Sequence, residues 1–108
     1  KREISPDAKV LNDESRTMVI RTRDPHEVIK ALSDRTDVLL EGGPTLAGAF
    51  LRVGAIDRIL AYVAPILLGG PITAVDDVGV LSIAHAQRWR FDGMDPLGPD
   101  VLLSLKPA

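Results

Sequence analysis

The residues best suited to chemistry lie together at Glu41-Gly42-Gly43-Pro44-Thr45-Leu46-Ala47-Gly48-Ala49, where an acid, a glycine pair and a proline follow an apolar run. Gly42 and Gly43 have no side chains, so backbone N–H groups can approach a ligand closely. Pro44 has the fixed φ that suits the first position of a helix. An anion fits such a place, because the first N–H groups of a helix lack partners within it and the helix dipole is positive there. The same pattern of strand, glycine turn and proline-led helix also serves as a plain connection in many α/β units. Two familiar phosphate motifs are absent. Gly43 to Gly48 has P-loop glycine spacing, but Ala49 and Phe50 stand where lysine and serine or threonine would hold phosphate and magnesium. The G-x-G-x-x-G dinucleotide fingerprint fails as well, since Gly42 and Gly43 are adjacent and the next glycine is Gly48.

Positioning these groups is the task of the flanking elements. Val38 to Leu40 is short and wholly apolar, as expected of a buried central strand that ends at Glu41. Upstream, residues 1–16 read as a polar loop leading to a strand at Thr17 to Arg21. Asp24-Pro25 reads as cap and first position of a helix whose Val28, Ile29 and Leu32 share one face. A second helix is expected from Pro44 to about Val53, burying Leu46, Ala47, Phe50 and Leu51, with Gly54 stopping it. Asp57 to Val63 reads as a strand that Ala64 to Leu68 extends before Gly69-Gly70-Pro71 turns the chain. Ile72 to Gly79 is loop-like, and Ser82 to Ala86 suits a short helical turn. Gln87 to Asp95 alternates as a half-buried strand with Trp89 and Phe91 on one face. Pro96 to Asp100 is a turn cluster, and Val101 to Leu105 closes a hairpin. The expected architecture is an α/β fold, parallel β-α-β-α-β followed by an antiparallel hairpin in one mixed sheet.

Composition narrows the classes of function. A chain of 108 residues with 45% hydrophobic side chains holds one domain at most. A net charge of -2 supplies no basic face for nucleic acid. With no cysteine there is no disulfide, thiolate metal site or cysteine nucleophile. The apolar stretches are strand-length and no signal peptide is recognisable, so a soluble cytoplasmic protein is expected, with a small molecule or another protein as its partner. The chain starts at Lys1 without an initiator methionine and reads as a fragment. His26 and His85 lack the spacing of metal ligands, Asp76-Asp77 reads as an exposed loop pair, and no metal is expected. Arg88 and Arg90 flank Trp89 on the solvent side of a strand and form no nucleic-acid patch.

Four segments in order, Leu39-Leu40-Glu41-Gly42-Gly43-Pro44-Thr45-Leu46, Gly54-Ala55-Ile56-Asp57, Ala64-Pro65-Ile66-Leu67-Leu68-Gly69-Gly70 and Gly98-Pro99-Asp100, resemble the reductase domain of bacterial riboflavin-biosynthesis deaminase/reductases. The resemblance runs over essentially the whole chain and corresponds to the C-terminal half of that domain, so residues 1–108 are expected to be a single partial domain. It implies a dihydrofolate-reductase-like mixed sheet with flanking helices and a closing hairpin. It also implies NADPH as hydride donor and reduction of the ribosyl group of 5-amino-6-(5-phosphoribosylamino)uracil to a ribityl chain. By the same resemblance Glu41 binds substrate, and Gly43, Pro44, Thr45, Leu46, Ala47, Gly48 and Ala49 bind the cofactor. Association through the reductase domain into a homo-oligomer is implied too. Pro65 and Gly69-Gly70 would shape a strand end near the cofactor. No proton donor can be singled out. The family's deaminase site needs cysteines that this chain lacks, so deamination lies outside it. A non-catalytic assembly module, or another dihydrofolate-reductase-like enzyme with a different pterin or pyrimidine substrate, are the alternatives.

Overall fold

The computed structural model describes residues 4–7, 17–34 and 37–108. The chain divides into two compact units, Lys1–Arg35 and Thr36–Ala108. In the first, helix α1 spans Pro25–Ala31. Asp24 has extended backbone and its Oδ1 accepts from the His26 N–H at 2.9 Å, so one of the unpaired first-turn donors is satisfied locally. Thr22 secures the approach, accepting from the Asp24 N–H at 3.1 Å and donating its own hydroxyl proton to the Glu27 carboxylate. The expected strand at Thr17 to Arg21 is not formed, and most of the loop expected over residues 1–16 lies outside the described residues.

The second unit holds helix α2 (Pro44–Arg52) and strands β1 (Ile59–Val63), β2 (Trp89–Leu97) and β3 (Asp100–Pro107). α2 begins as the sequence indicates, with Gly43 as its cap and Pro44 first. Its end is a Schellman motif. The Gly54 N–H donates to the Leu51 carbonyl and the Ala55 N–H to the Phe50 carbonyl, each at 3.1 Å, and Gly54 takes the left-handed φ of 70° that this closure requires. Phe50 is buried, while Leu46, expected inside, is 41% exposed. The reason is local. Helical side chains lean toward the N-terminus, and Leu46 leans back over Gly42, whose hypothetical Cβ would meet Leu46 Cδ2 at 2.6 Å.

The sheet has the order β1-β3-β2 and is antiparallel throughout the described residues. β3 is therefore central and carries both ladders, with Ile59 opposite Leu105 on one side and Phe91 opposite Leu105 on the other. Gly98 and Pro99 close the hairpin. A φ of 60° at Gly98, followed by proline's fixed negative φ, fits the II′ form that matches strand twist. The turn is tighter than expected, because Pro96 and Leu97 are still paired with Val101 and Asp100. Along β2 the register shifts between Phe91 and Gly93, so Asp92 is an inserted bulge residue. Phe91, expected on the packed face with Trp89, is 61% exposed.

Two further strand expectations are corrected. Val38 to Leu40 is not in the sheet, so the parallel β-α-β part is absent among the described residues. An extended segment becomes a strand only when a neighbour pairs with it, and this one has none there. β1 also stops at Val63 rather than running to Leu68. The Ile66 N–H folds back to the Ala64 carbonyl at 2.8 Å, and Pro65 between them has no N–H for a ladder. The turn expected at Ser82 to Ala86 is present as one turn of 3-10 helix at Ile83–His85.

Asp92 ties the sheet together. Its Oδ2 lies 3.0 Å from the Arg58 guanidinium, just before β1, and 3.5 Å from Lys106 Nζ on β3. The Arg58 hydrogen bond, aided by the Lys106 charge, holds its carboxyl below the usual aspartate range. A lowered folded-state pKa means that this stabilisation is present above the ordinary aspartate value of about 3.9 and is lost as pH falls through the lowered value. Asp92→Asn should accordingly flatten the acid limb of the stability curve below about pH 4, measured by denaturant titration at a series of pH values. Gly54→Ala should cost about 1 kcal/mol by the same assay, from the positive φ alone, since nothing lies within 4 Å of the added Cβ.

Candidate functional site

Glu41, Gly42 and Gly43 form the extended approach to α2, and the first turn of the helix follows at once. Gly43 has φ -79° and ψ 179° and offers no side-chain cap. The first-turn N–H groups have no intrahelical partner by the geometry of any α-helix, so Thr45 and Leu46 present donors at the positive end of the dipole. A Cβ on Gly43 would have nothing within 4 Å, so the space before the helix on that side is open. Glu41 is exposed, and among the described residues it has no hydrogen-bond or ion-pair partner. Glu41 through Ala49 form one continuous segment, extended as far as Gly43 and helical from Pro44. These donors, the open approach and the lack of a side-chain cap fit an anionic group such as a nucleotide phosphate.

One side of the helix is already taken. Thr45 Oγ1 donates to Asp76 Oδ2 at 2.8 Å, and the Asp76 N–H donates to the Pro44 carbonyl at 3.1 Å. Gly48 is buried beneath Asp76, whose carbonyl oxygen would stand 3.3 Å from an added Cβ. Further along, Arg52 donates to the Asp77 carbonyl at 2.7 Å, and the Asp77 carboxylate accepts from the Gly79 N–H at 2.7 Å. The loop after Gly70 thus lies along the Pro44, Gly48 and Arg52 side of α2. Asp76 and Asp77 are exposed, as the sequence suggests, but no local signal ties the pair to a helix 31 residues earlier.

Other polar candidates are peripheral. His26 and His85 are exposed, with His85 Nδ1 2.9 Å from Ser82 Oγ. Among the described residues no group of three or more histidines or acids is placed to hold a metal ion. Arg88 and Arg90 are exposed and Trp89 half-buried, as strand alternation requires, and Arg88 donates to the Ile83 carbonyl at 3.1 Å. Gly69 and Gly70 turn the chain with φ of 66° and 89°. A shallow groove of about 290 Å³ lies at the other end of α2, between Leu51, Arg52, Gln87 and Trp89. Among the described residues no helix is long and apolar enough to cross a membrane.

The family described as the RibD C-terminal domain matches residues 1–103. The riboflavin biosynthesis protein RibD of Mycobacterium tuberculosis is 75% identical over 105 residues, which are 97% of this chain and 31% of that protein. A 5-amino-6-(5-phosphoribosylamino)uracil reductase of Buchnera aphidicola is 32% identical over 78 residues, 69% of this chain and 37% of the relative. Among solved structures, Acinetobacter baumannii RibD superposes with a TM-score of 0.72 at 33% identity, over 82% of this chain and 26% of that one. The chain spans 31% of the length of its Mycobacterium relative. With a family model matched over nearly its full length and a fold shared with a solved relative, the chain belongs to the RibD C-terminal domain family.

Proposed function

We propose that this chain is part of an NADPH-dependent reductase that converts the ribosyl group of 5-amino-6-(5-phosphoribosylamino)uracil to the ribityl chain of the riboflavin pathway. The observation that carries the reading is the uncapped start of α2, open at Gly43 and preceded by the exposed Glu41. Membership of the family supports it, as does the Buchnera relative, which is named for this reduction.

In this reading Gly43 and the N–H groups of Thr45 and Leu46 would hold the cofactor's phosphates. Pro44, Ala47, Gly48 and Ala49 shape the helix beneath them. Bound NADPH supplies hydride. Glu41 accepts hydrogen bonds from sugar hydroxyls and fixes the opened ribose with its carbonyl carbon toward the nicotinamide. Keeping Glu41 on the sugar and the helix on the phosphates separates a carboxylate from anions that it would repel. The proton for the developing alcohol comes from a group that none of these residues supplies by position. Val38 to Leu40 takes a strand partner from the rest of the longer protein, giving the mixed, dihydrofolate-reductase-like sheet and the other wall of the cleft.

Glu41→Gln in the full-length protein should lower kcat/KM for the aminouracil substrate roughly ten- to hundredfold, the worth of charge-assisted hydrogen bonds, with NADPH affinity unchanged. Unchanged steady-state kinetics would remove Glu41 from the substrate site. Purified residues 1–108 alone should show no NADPH oxidation with that substrate, and robust turnover would contradict the half-cleft reading.

A further inference from the structure

We infer that Asp76 is a positioning residue for the cofactor site, holding the first turn of α2 so that its Gly43 side stays open. The inference rests on the reading that this turn receives the phosphates of NADPH. Pro44, Gly48 and Arg52 follow one another at helical spacing, so they lie on one face. Asp76 and Asp77 cover that face from end to end, through Pro44, Thr45 and Gly48 at the start and Arg52 at the finish. Gly48 is what allows the fit, because its missing side chain lets the Asp76 backbone come to contact distance. The space beside Gly43 is left clear.

Asp76 contributes by its hydrogen bonds and works against the ligand by its charge. Its carboxylate accepts the Thr45 hydroxyl proton, which fixes both side chains and commits that proton away from any phosphate. A negative charge beside the first turn also repels an incoming anion. Asparagine at this position would keep an acceptor for Thr45 and remove the repulsion. A role in positioning and a role for the charge thus predict different outcomes for Asn and Ala.

The test uses the full-length protein with Asp76→Ala, Asp76→Asn, Thr45→Val and the double variant Thr45→Val/Asp76→Ala, reading NADPH Kd, KM and kcat. Thermal melting of each variant shows whether it is folded. Asp76→Ala and Thr45→Val should each weaken NADPH binding roughly three- to tenfold, the worth of one hydrogen bond, with kcat within about twofold. The double variant should bind no more weakly than either single one, because both remove the same bond. Asp76→Asn should bind NADPH at least as tightly as the wild type. Wild-type affinity in Asp76→Ala, or Asp76→Asn as weak as Asp76→Ala, would overturn the inference. A wild-type protein that binds no NADPH would instead remove the cofactor reading on which it rests.

Discussion

Helix α2 is held by hydrogen bonds at its two ends more than by burial of its sides. Phe50 is the buried hydrophobic side chain among the described residues, at 8% exposure. With so little apolar area removed from water, the hydrophobic effect alone sets the angle and depth of the helix weakly. Polar tethers make up the difference. At the start, Asp76 reaches the Pro44 carbonyl and the Thr45 hydroxyl; at the finish, Arg52 donates to the Asp77 carbonyl at 2.7 Å and the Gln87 amide to the Leu51 carbonyl at 3.1 Å. Everything required of the candidate site depends on this placement, because the donors offered to a ligand are backbone groups and point wherever the helix points.

What was legible in the sequence was what neighbouring residues decide among themselves. Asp24-Pro25, Gly43-Pro44 and Gly54 mark helix ends through their own capping and φ requirements, and each operates as written. Gly98-Pro99 likewise encodes its turn locally. The glycine turn and proline-led helix from Gly42 to Ala49 were legible for the same reason, being one continuous segment. The strands at Thr17 to Arg21 and Val38 to Leu40 were not decided locally. Their apolar pattern states that they are fit to pair, and pairing needs a neighbour. The Arg58–Asp92 contact and the docking of Asp76 on α2 were also invisible, since each joins residues more than thirty positions apart.

β3 sits between β1 and β2, so the C-terminal part of the chain is stiffened by two ladders and by the Asp92 contacts to Arg58 and Lys106. That frame carries the loop after Gly70, which in turn fixes α2. By contrast, Val38 and Leu39 are 60% and 73% exposed immediately before Glu41. In the proposed reading this apolar segment is one wall of a larger cleft, completed by the rest of a longer protein; the chain spans 31% of the length of its Mycobacterium relative. In the proposed reading a serine or aspartate cap at Gly43 would occupy the donors that the ligand needs.

In the proposed reading the first turn of α2, and not the groove at its other end, receives the cofactor, and hydrogen exchange of the full-length protein with and without NADPH distinguishes the two places. NADPH should slow exchange in the segment from Gly42 to Leu46 and leave Gln87 to Trp89 unchanged. Protection confined to Gln87 to Trp89, with Gly42 to Leu46 exchanging as in the free protein, would contradict it.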